Sequence, residues 1–161
     1  MLGMGEPKDD AINLLKDDHQ AVDELFEAYE QRKGSKVAKV RIAMQICDAL
    51  TVHAAIEEEI FYPAVRREDE DMRDLVDEAA VEHQTLKDII GRLQAAPSSD
   101  PLYDAGVKVL SEYVKHHVKE EENELVPKVR KSNIDLVAMG ERMMARKAEL
   151  QKSSVKQRRA A

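Results

Sequence analysis

The sequence is poor in cysteine, aromatic residues, glycine and proline. Its 161 residues include one cysteine, Cys47, which excludes an intramolecular disulfide framework and a zinc finger built on cysteines. It contains no run of about 18 apolar residues, which argues against a membrane-spanning helix. Residues 1–10 lack the basic and apolar blocks of a secretory signal peptide. We therefore expect a cytoplasmic protein.

Positive charge is also in short supply. The chain has 25 lysines and arginines against 32 aspartates and glutamates, which gives a formal net charge of −7. Residues 152–161 hold four basic side chains and no acidic one, so the rest of the chain is more acidic still. This balance argues against nucleic acid as the main partner.

Helix-forming residues are plentiful, and long alternating runs of β-branched residues are absent from the sequence. Apolar residues recur at steps of three and four over about 9–31, 35–66, 69–95 and 102–131, and more weakly over 134–151. Residues 96–101, rich in proline and serine, are the clearest loop. The pattern predicts an all-α, up-down antiparallel four-helix bundle over 8–131. A C-terminal helix and a basic flexible tail, which frays after Ser153, are expected over 132–161.

Four of the five histidines belong to an internal duplication. The pairs, each separated by 64 residues, are His19 with His83 and His53 with His117. In both halves a glutamate follows the second histidine by four residues and a proline follows it by ten. The chain is therefore predicted to be two similar helical hairpins related by an approximate two-fold axis.

This pattern has a chemical meaning, because residues four apart on a helix lie on one face. Each half would then direct two imidazoles and one carboxylate at the bundle core. The six predicted metal ligands are His19, His53, Glu57, His83, His117 and Glu121. Imidazole with carboxylate suits iron, and also manganese or zinc. The Glu-x-x-His spacing of ferritin-like di-iron proteins is absent from the sequence.

The order of these motifs resembles the hemerythrin-like, or HHE cation-binding, family over about residues 12–131. The motifs that carry the resemblance are Asp18-His19, His53-x-x-x-Glu57, Glu82-His83 and His117-x-x-x-Glu121. The resemblance implies two non-haem iron ions joined by an oxo or hydroxo bridge and by the carboxylates of Glu57 and Glu121. It also implies that His19 and His53 bind one iron and that His83 and His117 bind the other.

The chain departs from the oxygen-carrying members of that family at one ligand. Those proteins have a fifth histidine one turn before the position of His83, where this sequence has Ala79. The nearby iron would keep an open position or take a substitute ligand. Tyr113, one turn before His117, is the residue expected to fill the gap or to lie beside it as a hydrogen-bond donor.

Other polar residues near the motifs are expected to play smaller parts. His116 has its own i, i+4 partner in Glu120 but stands outside the duplication, so it is expected to flank the site or to support a ligand. Glu58 and Glu122, which occupy matching positions in the two halves, are expected to be solvated charges.

The resemblance leaves several functions open. The first is binding or turnover of O2, H2O2 or NO at the iron pair, with peroxide disproportionation as its enzymatic form. The second is an iron or oxygen sensor whose C-terminal helix binds a partner. The third is donation of iron for the repair of iron–sulfur clusters. The sequence identifies no protein partner.

Overall fold

All the regular structure among the described residues is helical. The computed structural model describes residues 10–32 and 34–160, so the predicted domain start at residue 8 and the terminal residue 161 lie outside it. The helices are α1 (Ala11–Gln31), α2 (Lys36–Ile56), α3 (Tyr62–Glu68), α4 (Glu70–Ala95), α5 (Tyr103–Glu120), α6 (Val126–Arg130) and α7 (Leu136–Ala160). Two π-helical segments, Glu57–Phe61 and Glu121–Leu125, join α2 to α3 and α5 to α6.

Side-chain caps fix where the long helices begin. Asp10, Ser35 and Asp69 each accept a hydrogen bond from a backbone N–H in the first turn of α1, α2 and α4. Gly34 has a φ of +97°, a left-handed conformation that side chains rarely adopt. It allows the chain to turn from α1 into α2 within a few residues.

Both π-helical segments end against a proline. Pro63 and Pro127 have no N–H to donate to the preceding turn, and the backbone bonds shift register just before them. The N–H of Tyr62 donates to the carbonyl of Glu57, and the N–H of Val126 donates to the carbonyl of Glu121, five residues back in each case. Such wide turns often occur at functional sites.

The bundle core consists of two apolar clusters at different heights along the helices. On α1, Leu15 belongs to one cluster and Val22 to the other, and His19 lies between them. Phe61, which is fully buried, lies in the cluster of Leu15. The polar residues of the predicted site therefore occupy a layer with apolar packing on both sides.

The prediction of an all-α up-down bundle is confirmed, with consecutive helices packed on one another and α7 packed on α1 and α2. Two details differ from the prediction. The π-helical segments interrupt the second and fourth predicted helices. The C-terminal helix continues to residue 160, so the segment after Ser153 is helical rather than frayed. No described helix is long and apolar enough to cross a bilayer.

Candidate metal centre

The six side chains predicted as metal ligands meet in one buried layer, where they form two groups. The first cluster is His19, His53 and Glu121, and the second cluster is Glu57, His83 and His117; within each, the potential ligand atoms lie within 4.8 Å of one another. The two histidine Nε2 atoms are 3.1 Å apart in the first cluster and 3.2 Å apart in the second. Each cluster thus combines two histidines of one hairpin with the glutamate of the other.

Each carboxylate also reaches the neighbouring cluster. Oε1 of Glu57 lies 2.9 Å from Nε2 of His53 and 3.4 Å from Nε2 of His83. Glu121 places Oε1 at 3.4 Å from Nε2 of His19 and Oε2 at 3.4 Å from Nε2 of His117. Both glutamates therefore stand between the histidine pairs, where a bridging carboxylate would need to be.

Carboxylates behind the rings orient the imidazoles. Nδ1 of His53 is 2.9 Å from Asp18, and Nδ1 of His117 is 3.0 Å from Glu82, at the matching position of the other hairpin. A hydrogen bond donated from Nδ1 leaves the Nε2 lone pair directed at the cluster centre. Such outer carboxylates fix the ring orientation of metal-binding histidines and raise their basicity.

The rings of His19 and His83 face Glu122 and Glu58, which the sequence predicts to be solvated charges. Oε1 of Glu122 lies 3.1 Å from Nδ1 of His19, and Oε1 of Glu58 lies 4.0 Å from Nδ1 of His83. Both glutamate side chains are only about one third exposed, at 32% and 33%. The expectation of solvated charges therefore fails for Glu122, which contacts the ring of His19, whereas Glu58 remains a partly exposed charge that pairs with Lys87 at 2.6 Å.

Electrostatics in the metal-free protein favour the charged forms of His53, His117 and Glu57. Burial alone would lower the pKa of His53, but Glu57 and the hydrogen bond to Asp18 outweigh it and raise the pKa to about 10. Burial would also lower the pKa of His117, but hydrogen bonds to Glu121 and Glu82 outweigh it and raise the pKa to about 10.

Burial would raise the pKa of Glu57, but His53 and His83 hold it well below its usual range. An ionised Glu57 therefore lies beside a protonated His53 when no metal is bound, and His117 is protonated as well. A metal ion would replace those protons on the imidazoles.

Tyr62 is a buried member of the site that the duplication pattern does not reveal. Its hydroxyl donates a hydrogen bond of 2.6 Å to Oε2 of Glu121 and lies 3.3 Å and 3.5 Å from Nε2 of His83 and His117. Burial, Glu57 and Glu121 raise the pKa of this phenol well above its usual value, so it is neutral and donates. The one sequence signal for Tyr62 is the proline that follows it inside a predicted helix.

The remaining predicted residues lie further out. Ala79 is buried in the same apolar cluster as Tyr62, whereas Tyr113 is 48% exposed. The structure does not bring Tyr113 to the ligands, because the buried face of α5 runs from His117 through Val114 and Leu110 and leaves Tyr113 at its edge, on the surface. His116 is on the surface, where its Nε2 lies 3.3 Å from Glu120 and 3.6 Å from Glu82.

The donor set fits a pair of cations. Among the described residues, Oε2 of Glu57 is buried without a hydrogen-bond partner, and Oε1 of Glu57 and Oε1 of Glu121 are buried with only imidazole nitrogens beside them. Leaving a buried polar group unpaired costs about 1–3 kcal/mol, and more for a charged one. Two imidazole lone pairs about 3 Å apart also repel each other unless a proton or a metal lies between them. Metal ions bound by these atoms would pair with the buried carboxylate oxygens and would also remove the repulsion between the imidazole lone pairs.

A small cavity lies beside the histidines, on the side away from Tyr62. It measures about 30 Å³ and presents almost entirely apolar surface, with Val22, Leu50, Leu86 and Ile90 among its walls. All four site histidines line it as well. A space of this size suits a molecule of a few atoms, and its apolar walls favour a weakly polar one.

Comparisons with known proteins agree with this geometry. A protein from Nostoc sp. described as a DNA nickase is 30% identical over 120 residues, which cover 73% of this chain but only 33% of that protein. The crystal structure of a hemerythrin HHE cation binding domain-containing protein from Mycobacterium kansasii superposes with a TM-score of 0.81, at 24% identity, over 93% of this chain and 92% of that one. The family model for the hemerythrin HHE cation binding domain matches residues 10–129. The chain belongs to the hemerythrin HHE cation-binding family.

Proposed function

We propose that the protein holds two non-haem iron ions in the two clusters and uses them to bind or turn over O2, H2O2 or NO, as a cytoplasmic protein. The observation that carries the proposal is the pairing of histidine Nε2 atoms at 3.1 Å and 3.2 Å, with a glutamate oxygen beside each pair. Iron suits a set of four imidazoles and two carboxylates, and manganese or zinc is the alternative occupant. The iron would supply the redox chemistry.

The protein's own part is to hold the ligands and to restrict access. His19, His53 and Glu121 would bind one ion, and His83, His117 and Glu57 the other, with both carboxylates shared. The Tyr62 hydroxyl, 3.3 Å from Nε2 of His83, is a further donor beside the second ion. We propose it as the substitute for the fifth histidine of the oxygen-carrying relatives, since it shares an apolar cluster with Ala79.

The apolar cavity bears on which ligand is used. Its walls offer few hydrogen-bond partners to a polar molecule, which favours O2 and NO over H2O2 as the resident ligand. Tyr62, on the opposite side, is the group placed to donate a proton or hydrogen bond if peroxide is the substrate. Nucleic acid is not proposed as a partner, because the chain is acidic and spans only one third of its nickase relative.

Metal content tests the proposal directly. The protein is reconstituted with ferrous iron without oxygen, freed of excess metal, and assayed for iron per chain and for its optical spectrum. We expect two irons per chain and a spectrum that changes on addition of O2, H2O2 or NO. A content below one iron per chain after reconstitution would refute the proposal.

The same sample separates the functions that the iron pair could serve. Gas evolution with peroxide identifies disproportionation, and bands that appear with oxygen and reverse on its removal identify reversible binding. Transfer of iron to a metal-free iron–sulfur protein identifies iron donation. Capture of a protein partner only in the metal-loaded or only in the metal-free state identifies sensing.

A further inference from the structure

Helix α7 touches the metal centre at one point. Nζ of Lys147 forms an ion pair with Oδ1 of Asp18, while Oδ2 of the same carboxylate accepts the hydrogen bond from Nδ1 of His53. The side chains of Lys147 and Asp18 are 30% and 10% exposed. Both oxygens of Asp18 are thus engaged, one by α7 and one by a ligand of the first cluster.

A neighbouring ion pair holds α7 in this position. The guanidinium of Arg146 contacts both oxygens of Glu59, with Nε at 2.7 Å from Oε2 and Nη2 at 3.2 Å from Oε1. Glu59 lies in the π-helical segment that carries Glu57. Two consecutive cations of α7 therefore contact two different elements that supply metal ligands, and Met143, one turn earlier, is fully buried beneath the helix.

The second cluster lacks this support. Glu82, the counterpart of Asp18, accepts from His117 at 3.0 Å, but its other oxygen has, among the described residues, the imidazole of His116 as its neighbour, at 3.6 Å. The side chain of His116 is 62% exposed. A half-buried amine held on a packed helix restrains a carboxylate more firmly than an exposed ring does, since exposed pairs contribute little.

We propose that Lys147 is a positioning residue for the first cluster, where it fixes Asp18 behind His53 and thereby slows dissociation of the metal held by His19, His53 and Glu121. This inference rests on the proposed two-metal function. Outer carboxylates of this kind alter metal affinity about 10–100-fold when they are disturbed. Loss of Lys147 frees Asp18 to turn away from His53, and the effect is confined to one of the two ions.

Release of ferrous iron to an excess of chromogenic chelator, without oxygen, tests this proposal in the full chain. In Lys147→Met, half of the bound iron is expected to leave about tenfold faster, while the other half leaves at the native rate. Lys147→Arg keeps the charge and reach, and should restore the native rate to within about twofold. Lys152→Met removes an exposed cation from the same helix and controls for net charge.

Three results would overturn the proposal. They are an unchanged release curve in Lys147→Met, equal acceleration of both halves of the iron, and a Lys147→Arg variant that behaves like Lys147→Met. Equal acceleration would mean that α7 merely stabilises the whole bundle, which the melting temperature of the metal-free variant would also show. A native protein that binds less than one iron per chain after reconstitution would refute the proposed function itself, and this inference with it.

Discussion

The hydrogen bond from Tyr62 to Glu121 allows a quantitative test on metal-free protein. Tyr62 is 4% exposed, and its hydroxyl is 2.6 Å from a carboxylate oxygen whose partner Oε1 has no hydrogen bond among the described residues. Hydrogen bonds to charged groups contribute about 1.5–3 kcal/mol to stability. Tyr62→Phe keeps the ring and its packing but leaves Glu121 with only the imidazoles of His19 and His117, each 3.4 Å away, beside its oxygens among the described residues.

We expect Tyr62→Phe to lower the free energy of unfolding by about 2 kcal/mol. In a chain of this size, that corresponds to a fall in melting temperature of about 4–8 °C. The assay is urea and thermal unfolding followed by circular dichroism. It uses metal-free protein because a bound cation would compensate the charge of Glu121.

Tyr103 supplies a matched control. Its side chain is 6% exposed, and its hydroxyl is buried with no hydrogen-bond partner in the described part of the chain. Tyr103→Phe therefore removes the same atom from a similar environment without breaking a bond. We expect Tyr103→Phe to leave the free energy of unfolding unchanged or to raise it, by up to about 1–3 kcal/mol, because an unpaired buried hydroxyl is removed. If Tyr62→Phe lowers the free energy of unfolding no more than Tyr103→Phe does, the contact between Tyr62 and Glu121 does not stabilise the fold and the argument fails.

Three further predictions concern the metal and the histidines. His53→Ala should lower iron content by at least one ion per chain while His116→Ala leaves it unchanged; equal losses would contradict the ligand assignment. Removal of iron with a chelator should lower the melting temperature. The expected loss of stability is about 3–4 kcal/mol per site when the metal had been present at 100–1,000 times its Kd. Equal melting temperatures for the metal-loaded and metal-free protein would contradict a buried metal pair. The pKa values of His53 and His117 are about 10 in the folded state and about 6.5 in the unfolded state. Protonation of these histidines therefore stabilises the metal-free protein fully below about pH 6.5, and this stabilisation is lost as the pH rises to about 10. Urea unfolding of metal-free protein at pH 6 and pH 9 should show lower stability at pH 9, and the reverse order would refute the charge assignment.

The six histidines and glutamates of the centre are readable from sequence because each has a counterpart 64 residues away. Helical periodicity places the second histidine and the glutamate of each half on one face, and this face is the buried one in the structure. The bundle is readable for the same reason, since the apolar steps mark four long helices. Both inferences use residues that are near one another along the chain or repeated in it.

Tyr62 and Lys147 are not readable in this way. The counterpart of Tyr62 is Val126, so the duplication gives no signal. Tyr62 also lies five residues after Glu57, which on an ideal α-helix would direct it about 140° away. Only the wide turn before Pro63 brings both side chains to the same layer. Lys147 meets Asp18 across 129 residues, and no local pattern predicts a contact at that separation.

The exchange of glutamates between the clusters links metal binding to the assembly of the two halves. A peptide of the first hairpin would contain His19 and His53 but would lack Glu121, and the second hairpin would in the same way lack Glu57. Neither fragment alone has a full set of donors for its own histidines. A cation bound in either cluster would therefore connect the two hairpins through its ligands. Association of the two fragments should then depend on added metal, which mixing them with and without metal would measure.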